Sequence, residues 1–275
     1  MRRKNAILLF SKVPQAGKTK TRLSTLKDGK LTPEWAAYLY HCMLFDVVEC
    51  CCNMVGYMNS EIDEYDIIVS SPGQDQEQAM RELFAKSGDW PCEITFIHDV
   101  GASFDEHYND SFQQVWDMGY DTILSMGCDM PALTGDIIAT GFHYVHELWN
   151  YDRDGIVLSP DQEMGVSLVG WTSKTKFDHT GVFYCPDGLT VLPAYVRKAQ
   201  RLGYEVRYIP AMPDVDTMAD LQHNITLMQA IEAAAPYQYD LTVPWRTLDA
   251  INQLGLGDLR VMPNDLRDDR SEIDA

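Results

Sequence analysis

AILLFSKVPQAGKTKTRL, residues 6–23, decides the fold. Its first five residues form a continuous apolar run, the pattern of a strand buried on both faces of a parallel sheet. The next thirteen gather Lys12, Pro14, Gly17, Lys18, Lys20 and Arg22 into one loop. A buried strand opening into such a loop predicts an α/β sheet, in which ligands bind beyond the carboxyl ends of the strands. Arginine grips phosphate oxygens with paired bonds and lysine serves as a point charge, so the loop reads as an anion site. The competing reading is a solvated basic surface.

Further apolar or β-branched runs follow at Asp66–Ser70, Glu93–His98, Thr122–Met126, Gly155–Ser159, Val166–Trp171 and Glu205–Ile209. Helix-length amphipathic stretches lie between them at about 34–53, 75–86, 103–118, 135–150, 190–202 and 217–235. Thr32-Pro33, Thr134 and Thr217 with Asp220 supply helix starts. The alternation predicts an α/β, Rossmann-like fold: a mostly parallel mixed sheet with flanking helices. Residues 1–235 read as one domain closed by Pro236, and 236–275 as an appendage. Within it, Pro244-Trp245 and Leu248 to Leu256 fit a short helix laid on the core, and 264–275 an acidic, mobile tail.

Charge sharpens the location of the anion site. The chain of 275 residues carries a formal net charge of −19, which argues against a general nucleic-acid binder. Its 45% hydrophobic and 23% charged residues exclude wholesale disorder. Residues 1–30 nevertheless hold nine cations against Asp28 alone, a net +8, leaving −27 on the other 245. Screening acts over about 8 Å, so an anion at the first loop responds to these local cations.

Seven cysteines, three of them consecutive at Cys50–Cys52, suit neither a disulfide framework nor a zinc site. They read as small buried hydrophobes in a reducing compartment. The run Ala6–Phe10 is too short for a signal or membrane-spanning segment, so no membrane insertion and a cytoplasmic location are expected.

Gly17-Lys18-Thr19 ends like a Walker A loop, but Lys12 stands where that motif needs its first glycine. A P-loop enzyme is therefore the weaker reading. Two acidic turns follow strands: Gly127-Cys-Asp129-Met-Pro131-Ala-Leu133, and Pro213-Asp214-Val-Asp216-Thr217. An acid just past a strand end is placed to bind a hard cation such as Mg²⁺, which shares its shell with water and phosphate. Each turn also has a plain structural use, an Asx-turn at Asp129 and a helix cap at Asp216 or Thr217.

The motifs resemble a bacterial glycosyltransferase-A-like family of nucleotide-diphospho-sugar transferases. Its opening pattern F-x-K-x-P-x-x-G-x-x-K-T-R-L is met by Phe10, Lys12, Pro14, Gly17, Lys20, Thr21, Arg22 and Leu23. Its G-x-D-x-P-x-L is met by Gly127, Asp129, Pro131 and Leu133, and its D-x-D-T by Asp214, Asp216 and Thr217. The resemblance implies a nucleotide-diphospho-sugar transferase fold of glycosyltransferase-A type. It implies that Lys12, Gly17, Lys20 and Arg22 bind the nucleotide diphosphate, and that Asp129 and Asp216 hold Mg²⁺ or Mn²⁺. Guanylyltransferases of cofactor biosynthesis share a shorter version of the first loop. Nucleotidyl transfer from a nucleoside triphosphate therefore stands beside sugar transfer from a nucleotide-diphospho-sugar to an unnamed acceptor.

One loop departs from the family. P-x-E-D-G-G-Y becomes Pro160-Asp-Gln-Glu163-Met164-Gly165-Val166. Methionine adds bulk where glycine lets backbone approach a ligand, so either the acceptor differs or the protein binds nucleotide without turnover. Glu163 is a candidate general base, alongside Asp161, Asp178 and His179, and each also reads as an ordinary surface group.

Overall fold

Alternation within the first strand builds two cores. The computed structural model describes residues 2–238 and 240–261. In it β1 (Arg3–Phe10) turns Ile7 and Leu9 to one face of the sheet and Ala6 and Leu8 to the other. Against the first face pack α1 (Pro33–Met58), α2 (Gln74–Lys86), α4 (Gly135–Asn150), α6 (Met218–Ala234) and α7 (Trp245–Gln253). Against the second pack α3 (Phe104–Asp117) and α5 (Val191–Leu202). The expected acidic tail, 264–275, lies outside the described residues. No helix among those described is long and apolar enough to cross a membrane.

Six more strands complete the sheet: β2 (Asp63–Pro72), β3 (Ile94–Asp99), β4 (Thr122–Gly127), β5 (Gly155–Pro160), β6 (Val166–Thr172) and β7 (Glu205–Tyr208). Their order is β3-β2-β1-β4-β6-β5-β7. Only β6 runs antiparallel to its neighbours, β4 and β5, so the sheet is mixed and mostly parallel, as the sequence predicts. The register sets Phe10 beside Ser70 and Gly127, and Pro72 beside Asp99. The carboxyl ends of β1 to β4 therefore open at one rim.

Helix starts follow local chemistry. Thr32 accepts from the Trp35 N–H with Pro33 at the first turn, and Thr217 and Asp220 form a reciprocal capping box. Thr134 has the extended backbone of a cap but makes no side-chain bond. Cys50, Cys51 and Cys52 are each at most 2% exposed on α1, and burial pushes the Cys50 thiol up to about 12. Pro244 precedes α7, which packs on α1 through buried Leu248 and Ile251. Buried Asp46 on α1 fastens the start of α7. Its carboxylate accepts the Thr247 N–H at 2.8 Å, the Thr247 hydroxyl at 2.7 Å and Arg246 Nη1 at 3.1 Å.

At the β3 edge, two side chains take up backbone carbonyls. Arg81 Nη2 donates to the Phe96 C=O at 2.7 Å, and Gln114 Nε2 donates to that of His98 at 2.8 Å.

The second core holds His179 at 0% exposure, its ring centroid within about 5 Å of those of Tyr108, Phe112 and Trp171. Burial, then the Lys198 charge, lowers its pKa to about 3. Burial, then Arg3, lowers that of His146 to about 4. Both rings stay neutral in the folded chain while the unfolded chain takes up protons near pH 6.5. Stability is thus complete above pH 6.5 and falls as pH drops, by about 1.4 kcal/mol per unit for each ring. Urea unfolding at pH 7.5, 6 and 5 should show a net decline, smaller than the two rings alone would give, because Asp214, pushed up to about 7, takes up a proton in the folded chain over the same range. A flat profile would remove both assignments.

Candidate active site

The rim above β1 and β4 carries a cavity of about 660 Å³. Lys12, Lys18, Lys20, Arg22 and Lys27 line it together with Asp129 and Asp216. Each is delivered by a chain segment just past a strand. The loop after β1 winds through a left-handed Gly17 (φ 74°), and Thr19 closes it by bonding both the N–H and the C=O of Gln15. Gly17 shapes this turn but is not itself on the cavity wall. Lys12, Lys18, Arg22 and Lys27 are exposed, and no described carboxylate pairs with Lys12, Lys18 or Lys27.

Asp129 follows β4. Gly127 makes room for it, since a Cβ there would lie 2.8 Å from Asp129 Oδ1. The segment bearing Asp214 and Asp216 is tied directly to it, for the N–H of buried Val215 donates to the Asp129 C=O at 2.9 Å. Asp129, Asp214 and Asp216 consequently offer ligand oxygens within 4.8 Å of one another. Three carboxylates this close are a donor set suited to a hard divalent cation such as Mg²⁺ or Mn²⁺. Gln162 supports the third acid, donating to Asp214 Oδ1 at 2.8 Å and to Asp220 Oδ1 at 3.0 Å.

Lys20, on the cavity wall, turns its ammonium to the acids. Its side chain is 7% exposed, and the ammonium lies 2.6 Å from Asp129 Oδ2 and 2.7 Å from Asp216 Oδ1. The Tyr40 ring lies beside it, 5.8 Å from Nζ to centroid. Burial would lower its pKa, but the charges of Asp129 and Asp216 outweigh that and hold it above the ordinary value. Arg22 reaches the other oxygen of Asp216 at 3.2 Å. Burial raises the Asp216 pKa, yet Lys20 and Arg22 together bring it below the usual value. Asp214 has no such partner. Burial, then the Asp129 charge, pushes it up to about 7.

The expected bases are elsewhere. Glu163, Asp161, Asp178 and His179 are all off the cavity wall. Asp161 accepts the N–H groups of Glu163 and Gly165, Asp178 pairs with Lys198 at 2.8 Å, and His179 is in the aromatic core. Met164 takes φ 64°, so it keeps the left-handed backbone natural to the glycine it replaces in the family pattern.

Sequence reasoning missed the far end of the cavity. Asp99, at the end of β3 and 2% exposed, accepts Ser70 Oγ at 2.5 Å and lies 2.6 Å from His107 Nδ1. His107, Phe104 and Tyr184 line that end. An acid ending a strand with a histidine in the next helix was the available signal. Asp214 was visible as a motif match but not as a third ligand, because the Val215–Asp129 bond joins segments far apart in sequence.

No curated protein matches the chain by sequence. Among solved structures, a putative nucleotide-diphospho-sugar transferase from Desulfovibrio desulfuricans G20 aligns over 95% of this chain and 100% of its own, with TM-score 0.67 and 22% identity. That likeness shows a shared fold. A cytidylyltransferase from Leptospira borgpetersenii serovar Hardjo-bovis aligns over 96% and 99%, with TM-score 0.48 and 11% identity. The resemblance read from the loop motifs thus meets a structure of the same description. By sequence, residues 60–185, from the start of β2 to beyond β6, match the family described as uncharacterized protein conserved in bacteria (DUF2064).

Proposed function

We propose that the protein is a divalent-metal-dependent transferase acting on a nucleotide-diphospho-sugar. The supporting observation is one cavity in which exposed Lys12, Lys18, Arg22 and Lys27 stand beside Asp129 and Asp216, two members of the acid triad. Its volume suits a small-molecule ligand, for which about 300–1,000 Å³ is usual. Arg22 presents a planar fork to phosphate oxygens, and the three exposed lysines add charge without fixing geometry. Asp129, Asp214 and Asp216 would hold Mg²⁺ or Mn²⁺. The ion, when bound, neutralises negative charge that grows on the diphosphate leaving group. We assign the reaction to the cytoplasm, in keeping with seven cysteines that are free thiols.

A thermal-shift screen of nucleoside diphosphates, triphosphates and nucleotide sugars, each with and without Mn²⁺, tests the reading. A ligand at about 100 times its Kd adds about 2.7 kcal/mol, a clear rise in Tm. The expected result is a shift with a nucleotide sugar that grows when Mn²⁺ is present. Turnover of that ligand should release a nucleoside diphosphate. Release of pyrophosphate from a triphosphate would replace sugar transfer by nucleotidyl transfer, and no shift with any nucleotide would reject both.

A further inference from the structure

Lys20 sits where a metal would sit. Its ammonium donates to one oxygen of Asp129 and one of Asp216, two of the three acids that form the triad. A divalent ion on those same oxygens at about 2.0–2.6 Å would be in contact with the ammonium, so the two cations exclude each other. The ammonium does not rest in water, for the Lys20 side chain is 7% exposed and its end lies against Tyr40 and the two acids. Its root is fixed as well. Lys20 has φ 48°, and its C=O accepts the Leu23 N–H at 3.0 Å, in a loop anchored by fully buried Leu23. The four-carbon stem is the part free to swing, and the neighbouring cavity wall carries Lys12, Lys18 and Arg22.

We propose that Lys20 is the resident counter-ion of the triad, and that it makes the site select a divalent ion and a diphosphate as a pair over either alone. This rests on the metal-dependent diphosphate reading above. A metal ion arriving alone must strip the ammonium from two charge-assisted bonds with no other anion to receive it. A diphosphate arriving alone can draw Lys20 across only by leaving Asp129 without a counter-ion and Asp216 with exposed Arg22 alone. When both arrive, the ion replaces the ammonium on the acids and the ammonium moves to phosphate oxygen, so every charge keeps a partner. The coupling is reciprocal: each ligand strengthens the other by the same factor.

Mn²⁺ alone is the first probe, titrated into the full-length chain while the signal of the free aquo ion is followed by electron paramagnetic resonance. Lys20→Met should bind Mn²⁺ at least about tenfold more tightly than the wild type, within the usual 5–150-fold range of such couplings. Arg22→Met also removes one positive charge near Asp216, but from a side chain 59% exposed. It should change Mn²⁺ affinity by less than about fivefold, the scale of an exposed ion pair. The second probe is the wild type alone, with Tm measured in Mn²⁺, in inorganic pyrophosphate and in both. The joint shift should exceed the sum of the separate ones. In Lys20→Met that excess should vanish. Equal Mn²⁺ affinity in wild type and Lys20→Met, or additive shifts in the wild type, overturns the proposal. Additive shifts in the wild type decide against the proposal even if Lys20→Met does not fold. A wild type that shows the paired response to Mn²⁺ and pyrophosphate but binds no nucleotide sugar would reject the transferase reading and leave the role of Lys20 standing.

Discussion

Replacing Asp129 with alanine is expected to lower turnover by a factor on the order of a hundred or more while the fold survives. Its carboxylate accepts from Lys20 and, with Asp214 and Asp216, would hold the divalent ion of the proposed reaction. Losing one preorganised charge contact of this type costs about 3–4 kcal/mol in the transition state of other enzymes. The fold should persist because the bond joining this turn to Val215 uses the Asp129 backbone carbonyl, which alanine keeps, and because Lys20 retains Asp216. Measuring kcat with the nucleotide sugar found by the thermal screen, alongside the unfolding midpoint, checks both halves. Wild-type turnover in Asp129→Ala would remove the residue from the reaction.

Asp46→Ala should be the most damaging substitution away from the cavity. Asp46 is 3% exposed and accepts bonds from the backbone and hydroxyl of Thr247, itself 0% exposed, and from Arg246. Alanine would leave the Thr247 groups buried without partners and the Arg246 cation without one of its two carboxylates. The loss should amount to about 2–4 kcal/mol of unfolding free energy, since each of the two buried Thr247 donors left unpaired costs about 1–3 kcal/mol while half-exposed Arg246 keeps Glu49. Denaturant unfolding reads the total. Hydrogen exchange in 245–253 separates local release of α7 from global loss, and a change below about 1 kcal/mol would contradict the anchoring role.

The strands and helices were legible because each is bounded by its own chemistry. Val166–Trp171 and Glu205–Ile209 are found within a residue of their expected ends. Where the sequence fell short, polar residues hid the continuation. β1 begins at Arg3 and β2 at Asp63 because these charged ends pair with each other, Arg3 Nε lying 2.6 Å from Asp63 Oδ1. α1 runs on to Met58, beyond the expected stop at 53, through Met54 and Val55, whose apolar side chains stay in the core past polar Asn53. At the site, the acids could be placed because they follow strand ends. The direction of the Lys20 ammonium could not, because a four-carbon stem can serve either the acids or the open cavity. Glu163 stood in a motif position, yet its loop folds around Asp161 and sends Gln162, not Glu163, to the acid triad.

The hydrogen bonds that Arg81 and Gln114 make along β3 bear on how copies of the protein meet one another. A sheet's outermost strand is a template for another chain, and long uncovered flanks invite runaway stacking. Here an incoming backbone would find the carbonyls of Phe96 and His98 already taken, one of them by a cationic guanidinium. The opposite flank, β7, offers only four residues, Arg207 among them. The molecule can therefore carry a seven-stranded sheet without a sticky margin at either side.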